Sequence, residues 1–307
     1  MPALDLIADW PVPAAAAAVV GPSGVIAAYG DQSRVFRLAS VTKPLVARAA
    51  QVAVEEGVID LDTPAGPPGA TIRHLLAHAS GLSMGSADVQ AAPGSRRIYS
   101  NYGFAVLAEV IEQESGIEFG SYLAEAVFEP LGMASARLDG GAAAAGYGGM
   151  ASVGDLVRFA GDLLRPTTVS AQMHAEACSV QFPGLDGVVP GFGMQRPNDW
   201  GLGFEIRDGK SPHWTGSANS PATYGHFGQS GTFVWVDPVR DLALVALTDR
   251  DFGEWSKSVW PELSDRVIAN HNSHRGASPK SEREVVAGAS RMVSAWGACA
   301  TSSWSIG

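Results

Sequence analysis

Only two cysteines, Cys178 and Cys299, occur in 307 residues. A disulfide framework is therefore excluded as the basis of the fold, and in a reducing compartment neither thiol needs a partner. Clustered basic charge is also missing. Lys and Arg number 21 against 31 Asp and Glu, for a formal net charge of -10. A nucleic-acid backbone is held by grouped Lys and Arg, so no nucleic-acid partner is expected. The densest basic point, Arg96-Arg97, reads as a solvated loop. Long apolar runs are absent as well. Ala14 to Val20 is too short to span a bilayer and is bounded by Pro13 and Gly21. No basic leader opens the chain, and Asp5 and Asp9 interrupt its apolar start, so the expected location is cytoplasmic. The histidines show no H-E-x-x-H spacing, and neither a metal nor another cofactor is implied.

What is present is a globular composition, 46% hydrophobic, with 36 Gly and 19 Pro to make turns. Two short apolar runs, Ala14 to Val20 and Gly24 to Tyr29, flank the turn residues Gly21-Pro22-Ser23-Gly24 and predict a hairpin. Val35 to Leu38 predicts a third strand. From Ser40 to Glu56 the apolar residues recur at helical spacing, with Gly57 placed to end the helix and Pro44 near its first turn. Helices are also predicted over Asn101 to Glu114, stopped by Gly116, and over Ser152 to Leu164, opened by the capping pair Ser152 and Asp155. Strand signals return at Gly203 to Arg207, Thr232 to Asp237 and Leu242 to Thr248. A helix follows over Glu254 to Asn270, with Trp260-Pro261 as a kink or restart.

This order predicts an α/β (α+β) fold: an antiparallel sheet built from both chain ends and flanked by helices, with a mostly helical lobe inserted between. The expected organisation is one domain over residues 1–275. Its α/β lobe takes about 1–60 plus 200–275, and its helical lobe about 61–199. Residues 276–307 form a tail in which Ser281 and Glu284 can cap one more helix.

Ser40-Val41-Thr42-Lys43 is an S-x-x-K element at a helix start. Residues three apart share a helix face, so the Lys43 amine can reach the Ser40 hydroxyl. A serine hydroxyl attacks only when a base takes its proton, and lysine serves as that base once burial or nearby charge lowers its pKa. The helix N-terminus adds N–H donors where an oxyanion develops.

The segment from Phe36 to Pro44 resembles the active-serine segment of the serine β-lactamase and penicillin-binding-protein superfamily, and most closely its class C β-lactamase and esterase branch. Tyr99-Ser100-Asn101 is similar to the second signature of that branch. The resemblance implies that Tyr99 is general base together with Lys43, its phenol lowered in pKa by the neighbouring ammonium, and that Asn101 binds the substrate acyl side chain. The third signature is a K-T-G-like triplet on a strand. Two segments are candidates, His226-Phe227-Gly228 and Trp214-Thr215-Gly216, and the first is preferred because Gln229-Ser230-Gly231 leads directly into strand Thr232 to Asp237. Gly228 then admits substrate close to the strand, and the backbone N–H groups of Gln229 and Ser40 form the oxyanion hole. Trp214 becomes a loop or pocket-wall residue. Arg73 to Leu82, Pro130 to Met133 and Asp237-Pro238 look like further family segments, within which His78 and Ser80 read as structural. The resemblance spans roughly Ala14 to Ile268 and leaves the tail outside.

The resemblance implies a serine hydrolase that forms an acyl-enzyme on Ser40. The first expectation is a carboxylesterase-like hydrolase of small esters, because His226, where a lysine can stand, is mostly uncharged at neutral pH and suits a carboxylate poorly. The alternatives are a β-lactamase or D-amino-acid peptidase, and a non-catalytic binding relative. The partner is a small-molecule ester or amide, and the oligomeric state is left open.

Overall fold

The structure, a computed structural model, describes residues 2–276. Met1–Ile268 form one compact unit; the chain from Ala269 onward forms a second, whose described part is the end of the last helix. The predicted extra helix after Ser281 lies outside the described residues.

A six-stranded antiparallel sheet is assembled from β1 (Ala15–Gly21), β2 (Gly24–Tyr29), β8 (Glu205–Ile206), β9 (Tyr224–Gly228), β10 (Thr232–Asp237) and β11 (Leu242–Thr248). Its order is β2-β1-β11-β10-β9-β8, so strands from the two ends of the chain meet at its centre. Ala15 pairs with Thr248, and Phe233 with Ala246. This is the expected α+β sheet.

The central strands read as unbroken apolar runs because both faces are covered. Side chains alternate along each strand. Ala16, Ala18, Val234, Val236, Val245 and Leu247 join a core with the helical lobe. Ala17, Val19, Phe233, Trp235, Leu244 and Ala246 face the N-terminal turn Ala3–Asp9 and the Trp260–Ile268 stretch of the final helix.

A small sheet of β3 (Val35–Arg37), β4 (Arg137–Leu138) and β5 (Gly149–Ser152), in the order β3-β5-β4, steadies the segment that leads to Ser40. The hairpin β6 (Gly187–Val189) and β7 (Gly193–Gln195) stands apart from the main sheet. Three helices matter most to the site: α1 (Thr42–Glu55), α2 (Ile72–Leu76) and α3 (Asn101–Ser115).

Several local signals are realised. Gly116 ends α3 in the left-handed region at φ 72°, and Ser152 with Asp155 forms a capping box at the start of the Val153–Leu164 helix. The final helix, Glu254–Gly276, continues through Pro261 without a restart. The strand expected over Gly203 to Arg207 shrinks to Glu205–Ile206, because Gly203 takes φ 87° and turns the chain. Ser40 does not open an α-helix. It occupies a 3-10 turn, Ala39–Val41, that Ala39 enters at φ 46° before α1 begins at Thr42.

The reading of Arg96-Arg97 as solvated fails for Arg97. Its side chain is buried and donates to the carbonyls of Ala77, Gln181, Phe182 and Asn198, tying four loop segments together. Burial lowers its pKa to about 10. Among the described residues no helix is long and apolar enough to cross a membrane.

Candidate active site

The turn that carries Ser40 is fastened from two sides. Leu38 N–H donates to the Gly149 carbonyl on β5. From the main sheet, Thr232 Oγ1 donates to the Leu38 carbonyl and Ser230 Oγ to that of Arg37. Gly228 abuts the same turn. A Cβ there would lie 3.1 Å from Ser40 N and collide with the Leu38 carbonyl, so only glycine lets β9 come this close. Gly216 packs instead against Asp265. Of the two candidate triplets, then, His226-Phe227-Gly228 is the one beside Ser40. Trp214 lies in a loop but is core, fully buried with its indole N–H donating to Glu205 Oε2 at 2.7 Å.

Tyr99 precedes α3 and is held by its neighbours. Ser100 caps that helix, its Oγ accepting from Gly103 N–H and donating to the Ser83 carbonyl. Ser100 N–H donates to Nδ1 of buried His78, whose ring packs 4.6 Å from the Tyr99 ring. Ser80 is buried, with Oγ accepting from Leu82 N–H. His78 and Ser80 are structural, as their sequence context indicates.

Four oxygens converge on Lys43 Nζ: Tyr99 Oη at 2.6 Å, Asn101 Oδ1 at 2.6 Å, the Gly146 carbonyl at 2.8 Å and Ser40 Oγ at 3.3 Å. Tyr99 Oη is 2.7 Å from Ser40 Oγ. The amide and carbonyl oxygens can only accept, so they take two N–H protons, and the remaining face of the nitrogen meets the two hydroxyls. Lys43 is completely buried, and this holds its pKa well below the usual lysine value. The Tyr99 phenol moves the opposite way from expectation. Burial pushes its pKa up, the Ser40 hydrogen bond only partly opposing and the Glu205 charge reinforcing it. Within the buried pair, desolvation disfavours the ammonium–phenolate form relative to the neutral amine and neutral phenol that hold the same number of protons. Asn101, expected at the substrate, uses its carbonyl oxygen on the lysine.

His226 extends from the same face of β9 as Gly228 and is buried, and burial followed by the proximity of Lys43 lowers its pKa to about 3. Beside Ser40 is a cavity of about 80 Å³ whose walls include Met84, Val189, Pro190, Trp200 and Phe227, with Tyr99 and His226 at its polar side. A larger cavity of about 650 Å³, lined by His174, Cys178 and Tyr224 among others, contains none of these site residues. Among the described residues no three His, Cys, Asp or Glu side chains are grouped to hold a metal ion.

Sequence reasoning missed the Gly146 carbonyl and the walls from Met84, Trp200 and the β6–β7 connection. A backbone carbonyl has no residue signature, and the only hint was the glycine-rich stretch from Gly140 to Gly149.

A family model described as beta-lactamase matches residues 6–266. The crystal structure of a beta-lactamase from Mycobacterium bovis is 71% identical, covering 88% of this chain and 99% of that one with a TM-score of 0.87. EstCE1, a hydrolase with promiscuous acyltransferase activity, shares the fold at 19% identity and a TM-score of 0.71, covering 86% of this chain and 96% of its own. A Salmonella heidelberg protein named "Putative D-alanyl-D-alanine carboxypeptidase" is 26% identical over 202 residues, 52% of this chain and 46% of its own length. The chain thus spans about half the length of the curated relatives it matches.

Proposed function

Since this chain belongs to the beta-lactamase family, we propose that it is a serine hydrolase, a carboxylesterase-like acyl hydrolase that forms its acyl-enzyme on Ser40. The observation that carries the proposal is the hydrogen-bonded series Ser40 Oγ, Tyr99 Oη, Lys43 Nζ, with separations of 2.7 and 2.6 Å. Tyr99 takes the Ser40 proton as its own passes to the neutral Lys43 amine, and Oγ attacks the ester carbonyl carbon. The N–H groups of Ser40 and Gln229 stabilise the resulting oxyanion. Collapse breaks the bond to the leaving alkoxide, which recovers a proton from Tyr99. Water then repeats the sequence from the same side and frees the acid and Ser40. Asn101 and the Gly146 carbonyl orient the amine so that its lone pair meets the hydroxyls.

The small apolar cavity supports short acyl groups, and a neutral His226 supports substrates without a carboxylate at that point. Penicillin or D-amino-acid-peptide hydrolysis is the second reading, the former favoured by the name of the Mycobacterium bovis protein and the latter by that of the Salmonella heidelberg protein. Short-chain p-nitrophenyl esters and a chromogenic cephalosporin assayed side by side separate the two. The expected result is ester turnover well above cephalosporin turnover, with loss of both turnover and fluorophosphonate labelling in Ser40→Ala. Ester turnover that persists in Ser40→Ala removes the mechanism; dominant cephalosporin turnover removes the esterase reading.

A further inference from the structure

The Ser40 cavity is lined by a buried polar atom that has no hydrogen-bond partner and that the proton relay does not use. His226 Nδ1 lies 2.6 Å from the Phe227 carbonyl oxygen, which can only accept, so Nδ1 carries the ring proton. Nε2 is therefore a bare lone pair. It is buried and has no hydrogen-bond partner, and His226, 4% exposed, lines the cavity with Ser40 and Tyr99. A buried acceptor without a donor is costly, and such a group in a native site calls for an occupant that satisfies it. The neighbouring rings of Tyr99, at 5.9 Å, and Trp200, at 5.4 Å, are tilted and edge-on to the imidazole respectively, and the Tyr99 hydroxyl is committed to Ser40 Oγ.

Protonating Nε2 to make it a donor is opposed by burial and by Lys43, while the Phe227 carbonyl and Glu205, whose carboxyl lines this cavity beside the Tyr99 phenol, favour it less strongly. Position along the strand fixes which part of a substrate is met. Tyr99 touches Ser40 Oγ and returns the proton to the departing atom, and His226 packs beside Tyr99. The imidazole therefore lies beside the group that returns the proton to the departing atom.

We propose that His226 Nε2 accepts a hydrogen bond from the leaving group, so that the site selects acyl donors whose alcohol or amine portion carries an O–H or N–H and turns away those carrying a carboxylate there. The proposal rests on Ser40 as nucleophile with Tyr99 in its relay. A carboxylate would set acceptor against acceptor at Nε2, in a cavity that already carries the carboxylate of Glu205, itself paired with Lys210 at 3.2 Å.

Three phenyl acetates that differ only in the meta substituent test this: hydroxymethyl, methoxymethyl and carboxylate. The first two release phenols of similar basicity, so their difference reads the donor. In the wild type, kcat/KM for the hydroxymethyl ester should exceed the other two by about tenfold or more, the scale of one satisfied buried hydrogen bond. In His226→Leu that ratio should fall to about one, and His226→Lys should shift the preference toward the carboxylate. A wild type that shows no preference, or prefers the carboxylate, overturns the proposal, as does a preference that survives His226→Leu.

A second measurement does not depend on turnover. The ¹⁵N imidazole resonances of the wild type, with His226→Gln to assign them, should show a neutral Nδ1–H tautomer. The Nε2 signal should move when 3-(hydroxymethyl)phenol is added and stay with 3-(methoxymethyl)phenol. An Nε2–H tautomer, or no response to the alcohol, overturns the proposal even where Ser40 is labelled by fluorophosphonate. Absent labelling together with the expected ¹⁵N response instead leaves His226 as the acceptor and removes the hydrolase reading.

Discussion

At Lys43 the requirements of catalysis and of folding pull apart. The relay needs an unprotonated amine, and complete burial among Tyr99, Asn101 and Gly146 supplies it by penalising the ammonium. In the unfolded chain the same lysine is exposed to water and binds a proton up to its ordinary pKa of about 10.4. Between the lowered folded value and that unfolded value, the unfolded state therefore holds the extra proton, and stability rises with pH. Lys43→Met removes the group and with it this dependence. Urea melts of both proteins at pH 7, 8.5 and 10 should show wild-type stability gaining on the variant as pH rises, by up to about 1.4 kcal/mol per pH unit while the difference in proton binding is complete. A constant difference across the range contradicts a neutral Lys43, and a difference running the other way indicates a buried ammonium. The sequence pointed to Lys43 through its spacing from Ser40 and allowed its pKa to fall on burial, but it drew the Tyr99 phenol down beside an ammonium. Burial decides the protonation of both groups, and no spacing encodes burial of this depth.

Among the elements, α3 does most to place a reacting group. Its N-cap, Ser100, immediately follows Tyr99, and both the Ser100 hydroxyl and its N–H are spent on fixing that junction, to Gly103, Ser83 and His78. Ser100→Ala removes the cap and leaves the Gly103 N–H and Ser83 carbonyl unmatched, at a cost of about 1–2 kcal/mol in stability. Tyr99 should lose its fixed position as well, so kcat should fall while KM for a short ester stays within about twofold, since the lost interaction is one made in the transition state. Stopped-flow or steady-state kinetics at a temperature where the variant is fully folded make the check. An unchanged kcat beside reduced stability would show that Tyr99 is held by the His78 ring alone. Element boundaries of this kind were legible because caps are local chemistry: Ser152 with Asp155, Gly116, and the strands Thr232–Asp237 and Leu242–Thr248 all follow from neighbouring residues. The 3-10 turn at Ser40 was not. It is imposed from outside by Gly149, Thr232 and Ser230, which lie more than a hundred residues away in sequence.

Across the whole molecule the site is an intersection of four distant segments, residues 40–43, 99–101, 146 and 226–229, and α1 is the member that reaches from the site toward the helices of the insert. Its first turn holds Lys43. Further along, Arg48, wholly buried, is paired at 3.2 Å with Asp162 of the Val153–Leu164 helix and also donates to Gln51 while meeting His174. Burial works against the Asp162 charge, but Arg48, Thr167 and Thr168 hold its carboxyl below the usual range. That helix in turn packs Leu156, Phe159 and Leu163 into the core shared with β1 and β11, the strands that join the two chain ends. The pair therefore links α1 to the sheet through a second helix, and its role is to hold lobe against sheet rather than to touch substrate. Arg48→Met keeps the volume and removes the charge, leaving Asp162 ionised without its cation. Such a break costs about 3 kcal/mol or more. Chemical denaturation should register that loss, while kcat/KM per folded molecule at low temperature stays within about twofold of wild type, since none of the relay atoms is altered. A variant of full stability would show that the four donors of Thr167 and Thr168 alone suffice for Asp162. A large loss of kcat/KM in the folded variant would mean instead that the pair governs where α1 presents Lys43, and that the lobe contact belongs to the catalytic geometry.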